Sequence, residues 1–151
     1  MITIDEFKNK LSSGSRLLGI DLGKKRIGIA ISDYNQKIAT PLQTLEKSKQ
    51  GKLIDELESI ISENDIKGII IGNPINMDGT YGKSSQSAKD TAVNISNKID
   101  IPISLWDERL STVGAFNLSS ELDTNVSKRV KDIDKFAAAF ILQGALDFIQ
   151  N

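Results

Sequence analysis

The chain contains no cysteine and no histidine among its 151 residues. Thiol nucleophiles, disulfides, thiolate or imidazole zinc sites and every histidine-based triad are therefore excluded. Any catalysis falls to carboxylates, lysine, arginine, hydroxyls and hard metal ions. No apolar run approaches the roughly 18 residues of a membrane span. Residues 1–10 are polar and mixed in charge, so a cytoplasmic location is the expectation. A large positive excess is missing too: the formal net charge is −1, which is not the basic body of a general nucleic-acid coat protein. No internal repeat or low-complexity segment is present. The length suits a single domain, residues 1–151, whose core needs no covalent or metal staple.

What is present is organised around residues 17–33, L-L-G-I-D-L-G-K-K-R-I-G-I-A-I-S-D. An apolar strand over 17–21 delivers Asp21 into a tight turn, where Gly23 can take positive φ, and a second strand over 26–32 leads away. The turn 33–36 opens a third strand over 37–45, marked as an edge or as interrupted by Pro41. Upstream, Thr3-Ile4-Asp5-Glu6 reads as a capping box for a short accessory helix over 4–11.

The hydrophobic period then changes. Leu53, Ile54, Leu57, Ile60 and Ile61 share one face of a helix over 50–63, and the β-branched run 66–71 reads as a strand buried on both sides. A loop over 72–83 precedes a helix with Ala88, Ala92, Ile95 and Ile99 inward, boxed by Ser87 and Asp90 if its first regular turn starts there. A fifth strand covers 101–106, and Ser111 or Thr112 can cap a helix reaching 122. Residues 123–131 are polar and expected to be mobile, and a last helix over 132–149 carries Phe136, Phe140, Ile141 and Phe148. The sum is an α/β fold with a five-stranded mixed sheet, a three-strand antiparallel meander plus two parallel strands, and helices on both faces.

In such sheets functional groups gather outside the carboxyl ends of the strands. Asp21 ends the first strand, Glu108 follows the fifth, and the Gly72 loop follows the fourth. At ~100° per residue, Asp134 falls within about 60° of Ala137, Ala138, Ile141, Ala145 and Phe148 on the inward face of the last helix. Asp132 falls about 160° away with Gln143 and Gln150, on the solvent face. An inward carboxylate needs a partner or a metal. Asp21, Glu108 and Asp134 together would repel one another without a cation; Mg²⁺ or Mn²⁺ suits such oxygen donors, and the matching chemistry is metal-assisted phosphodiester hydrolysis.

Each carboxylate also has a purely structural reading. Asp21 would accept turn amides, Glu108 would pair with Arg109 or a lysine, and Asp134 would sit at a helix N-terminus for its dipole. Gly72, Asn76, Asp78, Gly79 and Thr80 lie where backbone amides and a helix start could cradle a phosphate. The spacing to Lys83 is not that of a Walker A loop.

Gly19-Ile20-Asp21-Leu22-Gly23-Lys24-Lys25-Arg26-Ile27-Gly28-Ile29-Ala30 with Ser32-Asp33, then Gly72-x-Pro74-x-Asn76-Met77-Asp78-Gly79-Thr80, then Asp107-Glu108-Arg109-Leu110-Ser111-Thr112, and finally Ile133-Asp134-x-x-Ala137-Ala138-x-x-Ile141-Leu142 resemble the motifs of the YqgF/RuvX family. The four blocks occur in family order and span nearly the whole chain. Asn73 is a departure, because the family usually places an apolar residue there.

The resemblance implies a ribonuclease H-like fold and a role as a candidate Holliday junction resolvase or, for bacterial members, as the nuclease that finishes the 5′ end of pre-16S ribosomal RNA. It implies that Asp21, Glu108 and Asp134 are catalytic, metal-binding carboxylates. Lys24, Lys25, Arg26, Arg109, Lys128, Arg129 and Lys131 would contact phosphates of an rRNA precursor or branched DNA, positioning it without reading its sequence. A junction resolvase would need a homodimer, whereas a trimming enzyme can act as a monomer. Two rivals share some of these features. An actin/Hsp70-type phosphotransferase also uses D-x-G in a hairpin, but needs a second lobe that this length does not hold. A binding module could keep the fold without turnover.

Overall fold

The computed structural model describes residues 1–47, 50–75, 78–108 and 126–150, with the backbone alone described at positions 50 and 126–135. The elements in chain order are α1 (Ile4–Lys10), β1 (Arg16–Leu22), β2 (Arg26–Ser32), β3 (Ala39–Glu46), α2 (Gln50–Asn64), β4 (Ile66–Asn73), α3 (Lys83–Lys98), β5 (Ile103–Asp107) and α4 (Val126–Gln150). The strands form one sheet in the order β3-β2-β1-β4-β5. β1, β2 and β3 pair antiparallel, while β4 runs parallel to both β1 and β5. The expected mixed sheet is thus the observed one. β3 is an edge, and Pro41 lies where its register with β2 shifts, between Ile29 and Ala30, so the missing amide interrupts no central ladder.

Helices cover both faces. Leu18, Ile20, Ile27, Ile29, Ile69, Ile71 and Ile103 pack with Leu53, Ile54, Leu57 and Ile60 of α2 and with Ala92 and Ile95 of α3. On the other face Leu17, Ala30, Ile70 and Trp106 pack with Ala138, Ile141, Leu142 and Ala145 of α4. Strand alternation explains the split: neighbours such as Leu17 and Leu18 are both fully buried, on opposite sides. This second face is drawn close by glycine. A Cβ on Gly19 would stand 2.7 Å from Leu142 Cβ and 3.1 Å from the Ala138 carbonyl oxygen.

Several local expectations are corrected. α1 is more than an accessory piece: Phe7 is fully buried, with its Cζ 2.7 Å from where a Cβ on Gly68 would be, and Ile2 donates its amide to the Ile103 carbonyl at 2.9 Å. Its cap is as expected, Thr3 Oγ1 accepting the Glu6 amide at 3.2 Å. The β1–β2 turn closes through the Gly23 amide and the Arg26 carbonyl at 3.0 Å, but Gly23 is not among the positive-φ glycines, which are Gly14 and Gly79 for the described residues. β4 continues through Gly72 and Asn73, paired with Trp106 and Asp107, so both residues belong to the sheet and not to the loop. α3 starts at Lys83, four residues before Ser87, with Gly82 at the N-cap position and no side-chain cap. The box of Ser87 and Asp90 is therefore not used.

α4 begins at Val126, so residues 126–131 are helical; the apolar period marks only the packed length, while backbone hydrogen bonding propagates on through good helix formers. Gln143 and Gln150 also do more than face solvent. Gln143 accepts the Ala39 amide at 2.9 Å and donates to the Lys37 carbonyl at 2.8 Å, and Gln150 donates to the Gln36 carbonyl at 3.0 Å, because the β2–β3 turn folds over that side of the helix. The expected helix over 111–122 and the side chain of Asp132 lie outside the described residues.

Two substitutions test this packing. Gly19→Val forces a side chain into the β1–α4 contact and should cost about 1–3 kcal/mol, or roughly 3–10 °C in Tm. Gly51→Ala, in α2 with nothing within 4 Å of the added Cβ, should gain up to about 1 kcal/mol from helix propensity. Thermal unfolding of both variants checks the contrast.

Candidate active site

Asp21 is the penultimate residue of β1 and pairs with Gly28 of β2. Alternation places it on the face of Leu17 and Gly19, the one covered by α4. Glu108 follows the last residue of β5, on the face of Trp106. β4 stands between their strands, so the two carboxylates start about 9.5 Å apart, twice the strand spacing. Only a long side chain lying across β4 closes that gap, and Gly72 leaves room for it. A Cβ at position 72 would stand 2.9 Å from Glu108 Cγ, 3.0 Å from its carboxyl carbon and 2.6 Å from Ile141 Cδ1.

Glu108 is hydrogen-bonded to Asp21, and its carboxyl is pushed up to about 8 by burial first, then by the negative charge of Asp21, by the hydrogen bond to Asp21 and by the charge of Asp107. At neutral pH Glu108 therefore favours its protonated form beside Asp21. A proton between two carboxylates marks a site with unmet positive-charge demand. Both groups are hard oxygen donors of the kind that hold Mg²⁺ or Mn²⁺. No group of three or more histidine, cysteine, aspartate or glutamate side chains is arranged for a metal among the described residues. The third expected carboxylate, Asp134, belongs to α4 one turn before Ala138, and its side chain lies outside the described residues.

The remaining expected residues divide. Lys24 and Lys25 are exposed and Arg26 half-buried on the hairpin that begins just after Asp21. Arg109 and Asn76 lie outside the described residues, as do the side chains of Lys128, Arg129 and Lys131 in the first turns of α4. Asp78 is committed to its own loop: its Oδ1 accepts the Thr80 amide at 2.9 Å and the Thr80 hydroxyl at 2.7 Å. Those bonds hold its carboxyl below the usual range. Gly79 takes φ +88° in the same turn, a left-handed conformation that suits glycine.

Three contributions escaped the sequence reading. Gly72 acts as the floor under Glu108, Asp107 adds to the local negative potential, and the buried Asn73 accepts the Ser85 hydroxyl at 2.6 Å. A glycine directly after the run Ile69-Ile70-Ile71 was the one available signal.

The raised carboxyl of Glu108 has a definite pH sign. Its folded value, about 8, exceeds its ordinary 4.5, so its stabilising effect is complete below the ordinary value and is lost as pH rises through the folded one. The metal-free protein should show a falling Tm between about pH 4.5 and about pH 8, levelling off above that. Glu108→Gln, which keeps a neutral donor toward Asp21, should flatten that fall. Gly72→Ala should separate the carboxylates and remove the pH dependence as well, at a cost of about 1–3 kcal/mol from overpacking.

Comparisons with known proteins bear on the family and the fold. The family described as RuvX: Holliday junction resolvase matches over residues 15–148. A chain from Pelagibacter ubique (strain HTCC1062), named as a candidate pre-16S rRNA nuclease, is 63% identical over 151 residues, covering 100% of both chains. A chain of the same name from Ruegeria pomeroyi (strain ATCC 700808 / DSM 15171 / DSS-3) is 45% identical over 149 residues, covering 99% of this chain and 97% of that one. Among solved structures, T. thermophilus RuvC in complex with Holliday junction substrate aligns with a TM-score of 0.56 at 12% identity, covering 91% of this chain and 96% of that chain. That likeness establishes the fold, which is ribonuclease H-like. With residues 15–148 matched by the family and a relative 63% identical over the whole of both chains, the chain belongs to the RuvX family.

Proposed function

We propose that this protein is a divalent-metal-dependent nuclease that hydrolyses phosphodiester bonds in structured RNA, with the 5′ end of pre-16S rRNA as its substrate. The observation that carries the reading is the convergence of Asp21 and Glu108, hydrogen-bonded to each other over Gly72 at the carboxyl edge of the sheet. The names of the relatives from Pelagibacter ubique and Ruegeria pomeroyi support the choice of substrate. Asp21 and Glu108 would hold Mg²⁺ or Mn²⁺ with Asp134 as third donor; when bound, the cation activates water and stabilises the leaving oxygen.

The chain's own residues supply the rest. Glu108 would be one of the residues holding the cation, and Gly72 keeps its carboxylate over β4 toward Asp21. Burial of the pair strengthens every electrostatic contact made there. Lys24, Lys25 and Arg26 continue the hairpin from Asp21 and would lie along the phosphates on one side of the scissile bond. Arg109, Lys128, Arg129 and Lys131 would supply further phosphate contacts. Such contacts orient the backbone without selecting a sequence, which matches a chain whose overall charge is close to neutral.

Asp21→Asn and Glu108→Gln should each lower kcat on a pre-16S rRNA substrate at least about a hundredfold, equivalent to ~2.7 kcal/mol, while RNA affinity in the absence of metal stays within a fewfold. Calorimetry with Mn²⁺ at pH 7 should show binding coupled to release of about one proton, abolished in both variants. Cleavage of four-way DNA without cleavage of rRNA precursor would redirect the substrate to branched DNA. Metal-independent RNA binding with no cleavage of either would leave a binding module.

A further inference from the structure

Gly72 and Asn73 are consecutive at the end of β4, and alternation sends them to opposite faces of the sheet. Gly72 lies under Glu108 on the α4 side. Asn73 falls on the side of Ile69 and Ile71, which pack against α2 and α3. Only 6% of Asn73 is exposed and none of Ser85. Their side chains meet in a hydrogen bond of 2.6 Å, with the Ser85 hydroxyl donating to Asn73 Oδ1.

Ser85 is the third residue of α3, whose N-cap residue Gly82 offers no side-chain acceptor. Asn73 is held in turn by the ladder with Asp107, and its carbonyl accepts the Ile75 amide at 2.9 Å as the chain turns out of the strand. One buried polar pair thus closes the base of the segment between β4 and α3. An apolar side chain would fill the same space without fixing a direction. A hydrogen bond between two buried groups admits one geometry and penalises departure from it.

We propose that Asn73 and Ser85 are a positioning pair: they set the first turn of α3, and with it the turn Asp78-Gly79-Thr80, at a fixed place beside the carboxylate edge where nucleic acid is engaged. The assignment rests on the nuclease reading for its substrate but not for its geometry. Asn73 touches none of the reacting groups. Its effect is on how substrate is seated, so it belongs to KM and not to kcat.

Ser85→Ala removes a single oxygen, and Asn73→Leu replaces the amide by an apolar side chain of similar size; the first remains informative if the second fails to fold. Each folded variant should raise KM for pre-16S rRNA at least about fivefold with kcat within twofold of the parent. The double variant should be no worse than the poorer single, because one bond is lost in all three. Amide hydrogen exchange over residues 78–85 should accelerate at least about tenfold, with β1 and β2 unchanged. Folded variants with KM within twofold of the parent, additive effects in the double variant, or unchanged exchange over 78–85 would each overturn the pair. If the parent cleaves neither RNA nor four-way DNA, the nuclease reading fails, and the exchange result alone decides the positioning pair.

Discussion

Two carboxylates that begin on strands separated by a third are held against each other at the end of this sheet, and their mutual repulsion governs the site. Glu108 reaches Asp21 only across Gly72, and burial first, then the charge of Asp21, push its carboxyl up to about 8. A cation can take that proton's place, because both satisfy the same demand for positive charge between oxygens. The closeness that brings the two carboxylates together is what costs stability when the pair is fully ionised.

The two faces of the sheet are built differently, and the difference serves that site. Isoleucines line the side of α2 and α3, giving a deep, ordinary helix-on-sheet core. The α4 side carries Gly19, Gly68 and Gly72 on β1 and β4, and at each one an added Cβ would come within 2.7 Å or less of a packed side chain. Leu142, Phe7 and Ile141 fill the space those glycines leave. α4 therefore lies close on the strands that end in the carboxylate edge, and the helix carrying position 134 is placed by backbone-level contact with β1. Mobility there would be costly, since a shift of α4 would also move Ile141 against the Glu108 stem.

Much of this was legible in the chain itself. Period-two and period-3.6 patterns report burial directly, which is why the five strands and the edge position of Pro41 were readable. The same patterns failed where burial and backbone state part company. Helix α4 continues to Val126 through residues whose polarity carries no packing signal, and α3 begins at Lys83 without a capping side chain. Gly72-Asn73 resembles a loop by composition yet completes a ladder with Trp106 and Asp107, because pairing depends on what β5 offers and not on the dipeptide. Gln143 and Gln150 looked solvated because nothing local announces the turn that folds over them.

The sequence by itself narrowed the chemistry: without cysteine or histidine, oxygen and cationic groups are what remain, and the positions of Asp21 and Glu108 after predicted strands placed them at one edge. It determined the mixed sheet for the same reason, since hydrophobic period is written residue by residue. Tertiary structure alone decided that Glu108 crosses β4, that Gly72 must be bare to let it pass, and that Asn73 and Ser85 close the other face. Those are distances between segments far apart in the chain, and only the packing of one sheet against its helices sets them.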